Sequence, residues 1–159
     1  MAKFSNAVLT CIILFFFAGC ATESELLKEP LTGSVKDPQS HVAALDWSNT
    51  KSATVELAEF SFTPEVLELQ QGVPYRLRLE NKGDWKHDFA SEKFFKSIAI
   101  QKLRSRNGEV VSPYLNKVVV RPKSVKELYF VAVKPGNYDL ECSVFLHADF
   151  GMEGRILVR

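Results

Sequence analysis

The chain has 159 residues, 20 basic and 19 acidic side chains and a net charge of +1. That is one domain of ordinary size, large enough to bury a core without covalent staples. The near balance of charge, with no basic stripe and no acidic tail, argues against nucleic acid as a partner.

Lys3 opens a short positive segment, and Ala7 to Ala18 (AVLTCIILFFFA) is apolar but too short to span a bilayer. It runs into Phe17-Ala18-Gly19-Cys20. This resembles a bacterial lipoprotein signal, which implies cleavage before Cys20, lipidation of that Cys and loss of Cys11 with the leader. Phe17 stands where such signals usually carry Leu. Residues 1–19 are therefore expected to be a signal peptide, and the chain to be exported and anchored through its lipid. No Asp follows Cys20. In a cell with two membranes, the expected place is the periplasmic side of the outer one.

Residues 20–52 mix Glu, Lys, Pro, Gly and Ser with few large apolar residues, and are expected to form a flexible tether. His41 lies in this stretch and is expected to be solvated. The folded domain is then residues 53–159.

From Thr54 onward short strands dominate. Val55 to Phe60 and Val66 to Gln70 are candidates, separated by Phe62-Thr63-Pro64 and closed by Gln71-Gly72. Pro74 to Asn81 alternates, with Tyr75, Leu77 and Leu79 on one face and Arg76, Arg78 and Glu80 on the other, the pattern of a half-buried strand. A Lys82-Gly83-Asp84 turn leads into Trp85-Lys86-His87-Asp88-Phe89. Asp88 is expected to be a solvated loop carboxylate. Ser91 is placed to cap a short helix over 91–97, with a strand after it. Turns at Arg106-Asn107-Gly108 and Ser112-Pro113 precede strands over Lys117 to Val120 and Val125 to Val133.

After Lys134-Pro135-Gly136, residues Tyr138, Leu140 and Cys142 share one face of a strand. The segment CSVFLHADFGM then sets Cys142, His147 and Met152 with four residues between each, before a last strand with Ile156 and Val158 inward. Thiolate and thioether suit copper, and so does imidazole; two imidazoles, one thiolate and a distant axial Met describe a blue-copper centre. The second imidazole is assigned to His87, since the chain has only three His, and Met152 is its only Met besides the initiator. Once Cys11 is cleaved and Cys20 lipidated, Cys142 is the one thiol left in an oxidising compartment. It is then reactive, intermolecular or metal-bound. About eight strands with turns roughly every 8 to 12 residues argue for an all-β, Greek-key sandwich.

From about Val55 to Val158 the sequence is similar to the cupredoxins of the plastocyanin and azurin type. The resemblance is carried by EFSFTP (Glu59 to Pro64), Gly72, His87-Asp88-Phe89, Pro135-Gly136-Asn137-Tyr138, Cys142, His147 and Gly151-Met152-Glu153-Gly154. It implies one type 1 copper cycling between Cu(I) and Cu(II), with His87, Cys142 and His147 as equatorial ligands and Met152 as the axial one. Asn81 resembles the Asn that ties the ligand loops together in such proteins, but it lies six residues before His87 and is given no role. Phe145-Leu146 replaces the Pro-Gly that many relatives carry before the second His.

The expected function is non-enzymatic: a monomeric electron carrier with a redox partner protein. The alternatives are a copper-handling protein that delivers metal to an acceptor, and a copper-free binding module. Zinc is disfavoured by Met152. A Cys142–His147 nucleophilic pair would leave His87 and Met152 without a role.

Overall fold

The computed structural model describes residues 26–159. The expected signal peptide and Cys20 lie outside those residues. Among the described residues, no helix is long and apolar enough to cross a membrane.

The chain runs through Leu26–Leu27 (β1), a short helix Pro38–Ala43 (α1) and a single 3-10 turn Trp47–Asn49. Then come Lys51–Ala58 (β2), Ser61–Thr63 (β3), Val66–Leu69 (β4), Pro74–Asn81 (β5) and His87–Ala90 (β6). A four-residue helix Glu92–Phe95 (α2) leads into Ile98–Ser105 (β7), Gly108–Val111 (β8), Tyr114–Leu115 (β9) and Lys117–Val120 (β10). Val125–Ala132 (β11), Gly136–Glu141 (β12) and Glu153–Val158 (β13) complete it.

Eleven of these strands form two facing sheets, in the orders β10-β6-β12-β13-β4 and β3-β2-β5-β11-β7-β8. Most pairs are antiparallel, but β2 runs parallel to β5 and β13 parallel to β4. This is the expected β-sandwich with more strands than the eight read from the sequence. The additions are three: Ser61–Thr63 folds back on β2, Gly108–Val111 folds back on β7, and the His87–Ala90 segment pairs between β10 and β12.

Alternation explains the core. Tyr75, Leu77 and Leu79 of β5 point inward with Val55 and Leu57 of β2, Leu128 and Phe130 of β11, and Leu140 and Ile156 of the facing sheet. Phe94 of α2 plugs the interior, edge-on to Phe89, Phe130 and Tyr138. Such tilted ring pairs add to the stabilisation that burial already gives. The short helix after Ser91 and the strand that follows stand where expected. Ser91, however, makes no side-chain cap: its hydroxyl donates to the Asp139 carbonyl at 2.5 Å, tying α2 to β12.

The flexible tether expected over 20–52 is corrected for residues 26–50. β1 pairs with β9, the Val35 N–H donates to the Lys96 carbonyl at 3.0 Å, and Val35 itself is buried. The Asp37 side chain caps α1 at the Ser40 N–H, and the Trp47 indole donates to the Val42 carbonyl. Pro30, Leu31, Val35 and Pro38 line one small cavity with Phe95, Ile98 and Ile100, so the segment is a strap against α2 and β7. His41, on α1, is half-buried rather than fully solvated.

Burying a Val side chain is worth about 1.5–3 kcal/mol. Val35→Ser should therefore lower the unfolding free energy by about 1–2 kcal/mol in a denaturant titration. An unchanged midpoint would mean the strap is not held.

Candidate metal centre

Three separate pieces of chain meet at one end of the sandwich. Their donors are Nδ1 of His87 at the start of β6, Sγ of Cys142 just past β12, and Nδ1 of His147 in the loop before β13. The two imidazole nitrogens lie 3.1 Å apart, and the sulfur lies 3.5 Å from His147 and 3.9 Å from His87. A point equidistant from all three atoms is about 2 Å from each, a bond length to a first-row transition cation.

All three residues are buried, His87 and Cys142 completely and His147 with 9% of its surface left. Met152 is buried beside them. Its N–H donates to the His147 carbonyl and its carbonyl accepts from the Cys142 N–H, so backbone bonds close the ligand loop on itself. Within this loop Leu146 takes φ 65°, the left-handed region that favours glycine. The turn survives the replacement of Pro-Gly by Phe145-Leu146, at a cost of about 1–2 kcal/mol for the bulky residue.

His87 is fixed by the loop in front of it. Asn81 is buried; its amide donates to the Trp85 and Val120 carbonyls at 2.7 and 2.9 Å, and its oxygen accepts from the Gly83 N–H. Asn81 therefore shapes the His87 approach from six residues upstream, a role the spacing did not suggest. Glu59 clamps the same loop from β2–β3, accepting from the N–H groups of Asp84 and Trp85. The Asp84 N–H bond is the chief reason its carboxyl sits below the ordinary range. A Cβ on Gly83 would lie 2.4 Å from Glu59 Oε1, so a side chain there would displace the clamping carboxylate. Behind the ring, His87 Nε2 is buried with no hydrogen-bond partner, 3.9 Å from Glu59 Oε1.

Asp88 is the clearest departure from expectation. It is buried rather than solvated, accepts from Lys117 Nζ at 3.1 Å and from the Ser143 hydroxyl, and so links β6, β10 and the Cys142 turn. Its backbone N–H donates to Cys142 Sγ at 3.3 Å. A donor on the sulfur stabilises thiolate charge and tunes any metal bound there. Nothing in the sequence distinguishes this carboxylate from a surface one except its place directly after His87.

The electrostatics fit a cation. Burial pushes the Cys142 thiol above its ordinary value, so a thiolate needs a positive partner at this position. Burial, and then the neighbouring His147, push His87 below its ordinary value, leaving a neutral imidazole free to donate its lone pair. Thiolate, two imidazoles and a nearby thioether form the donor set of one type 1 copper. His41 is not part of the cluster.

Residues 10–158 match the family model of the cupredoxin-like domain. No curated protein matches the sequence. Among solved structures, the fold is similar to a reduced auracyanin of the photosynthetic bacterium Roseiflexus castenholzii, at 16% identity and TM-score 0.50, covering 69% of this chain and 98% of that one. It is also similar to a copper nitrite reductase of Nitrosomonas europaea, at 12% identity and TM-score 0.56, over 74% of this chain and 52% of that one. A third is the multicopper oxidase McoA of Aquifex aeolicus, at 14% identity and TM-score 0.58, over 72% and 30%. The chain thus spans between about a third and a half of the two enzymes' length. At these identities the likeness is one of fold.

The depressed His87 gives the metal-free protein a pH dependence of definite sign. Its contribution to stability is full above the ordinary imidazole value of 6.5 and is lost as pH falls through the lower native value. Denaturant melts of metal-free protein should show stability falling as pH drops from 6.5 through the lower native value, and His87→Gln should reduce that slope. A slope unchanged by the substitution would place the pH dependence elsewhere.

Proposed function

This chain belongs to the cupredoxin-like family, and from that premise we propose that it is a mononuclear type 1 copper protein acting as a one-electron carrier, not an enzyme. The buried triangle of His87, Cys142 and His147 carries the reading. Nδ1 of each imidazole and Sγ of the thiolate, with the Met152 thioether beside them, would hold the copper. Bound there, copper supplies a one-electron Cu(I)/Cu(II) couple.

What the protein contributes is rigidity and access. His87 is locked by Asn81 and the Glu59 clamp, and Cys142 is held by the Asp88 N–H and by Met152. The donors are therefore set before metal arrives, so little has to move when charge changes. His147 is the only one of the three with any exposed surface. Phe60 packs edge-on to it at 5.5 Å, and Phe150 lies 5.1 Å from Phe60. With Phe145 85% exposed and Trp85 65%, the imidazole opens into an apolar rim suited to brief docking with another protein.

A carrier keeps its metal while cycling, whereas a delivery protein hands it on. Voltammetry of copper-loaded protein should give a reversible one-electron wave that persists in the presence of an excess Cu(I) chelator. Loss of copper to the chelator on the timescale of the scan would favour the copper-delivery reading instead.

The signal-like N-terminus supports an exported protein held to the membrane through lipid on Cys20, on the periplasmic side of an outer membrane where the cell has one. Mass spectrometry of the mature N-terminus should find diacylated Cys20, and Cys20→Ala should release the protein from membranes. An unmodified N-terminus upstream of Cys20 would rule the anchor out.

A further inference from the structure

The metal end of the molecule is charged unequally on its two sides. The loop from Arg121 to Ser124 joins β10 to β11 directly beside the segment that delivers His87. Val120 pairs with His87, the Asn81 N–H donates to the Ser124 carbonyl, and Lys123 pairs with Asp84 at 2.9 Å. Next to this loop lies the β7–β8 turn, since Lys126 pairs with Ser105.

Between the two is a cleft of about 490 Å³ whose charged lining is Arg106, Arg121 and Lys126, with no carboxylate. Arg106 and Arg121 are exposed, and among the described residues neither has an acidic partner within ion-pair distance. Lys126 has a partner of its own. Across the metal end, over the β12–β13 pair, Glu65, Asp139, Glu141 and Glu153 line a second cleft with only Arg155 to offset them. Glu141 and Glu153 directly flank the ligand-bearing loop. A chain of net charge +1 therefore presents a basic shelf on one side of its apolar rim and an acidic strip on the other. Such a field does little for overall attraction but orients an approaching partner.

We propose that this end docks an acidic redox protein in one orientation, with its apolar contact over His147 and its carboxylates on the Arg106–Arg121 shelf. The inference rests on the carrier reading above and adds the charge of the partner. The shelf lies beside the His87 loop rather than on a remote face, so carboxylates seated there bring the partner's surface over the rim. The acidic strip opposite repels the reversed orientation.

Two one-electron oxidants of opposite charge test this on the reduced, copper-loaded full chain. Hexacyanoferrate(III) and tris(phenanthroline)cobalt(III) each take one electron, leaving Cu(II) with Fe(II) or Co(II). Arg106→Glu/Arg121→Glu should slow the anionic oxidant by about tenfold at low salt and speed the cationic one, with the difference fading as salt screens the shelf. An equal change with both oxidants, or none with the anion, overturns the proposal.

A second readout needs no copper. Redox-inert hexacyanocobaltate(III), titrated into the metal-free full chain, should shift amide resonances around residues 105–107 and 121–126, and the double substitution should abolish this. Shifts concentrated elsewhere overturn the shelf while leaving the carrier reading intact. Failure of the unsubstituted chain to bind copper would sink the carrier reading, and with it the redox nature of the partner. If the two arginines instead governed binding to phosphatidylglycerol vesicles, with oxidant rates unchanged, the shelf would be a membrane contact and the proposal would fall.

Discussion

A thiol buried between two imidazoles is the constraint on which this structure turns. Completely buried, the Cys142 sulfur resists ionisation, and burial also holds the His87 imidazole below its ordinary value. A thiolate at that depth is stable only against a cation, and the three donor atoms leave room for one at bonding distance. The site is thus unfinished electrostatically and finished geometrically.

Geometric completion comes from the sandwich. β6 and β12 are neighbours in one sheet, which sets His87 and Cys142 side by side. The loop between β12 and β13 must return within one sheet step, and it brings His147 and Met152 back over the sulfur. Around this frame, Asn81 and Glu59 satisfy the irregular backbone of the His87 loop, and the Asp88 carboxylate ties Lys117 to Ser143 in the Cys142 turn. Buried polar groups of this kind are stabilising when every bond is made and costly when one is missing. His87 Nε2 is the exception, with Glu59 the nearest carboxylate behind it.

The donor set was legible in the sequence because its residue types are rare in this chain and sit at fixed spacing beside strand patterns. Period-two alternation likewise marked β5 and the end of β12, where one face is wet. What stayed hidden depends on long-range contact. Asp88 and Asn81 are ordinary polar residues until the facing elements bury them against Lys117, Ser143 and Val120. Residues 26–50 carry too few apolar groups to announce a folded segment, and only contact with the body of the fold gives Val35 a place. The shelf was invisible for the same reason: Arg106 and Arg121 are far apart in sequence and meet only through the pairing of β7 with β11.

The account stands or falls on whether the Cys142 sulfur binds copper. The most direct measurement is visible absorption and electron paramagnetic resonance during titration of the purified protein with Cu(II), alongside Cys142→Ser. One equivalent should produce an intense thiolate-to-copper band and a type 1 resonance, both abolished by the substitution. A titration with no such band, or one that Cys142→Ser leaves unchanged, would contradict it.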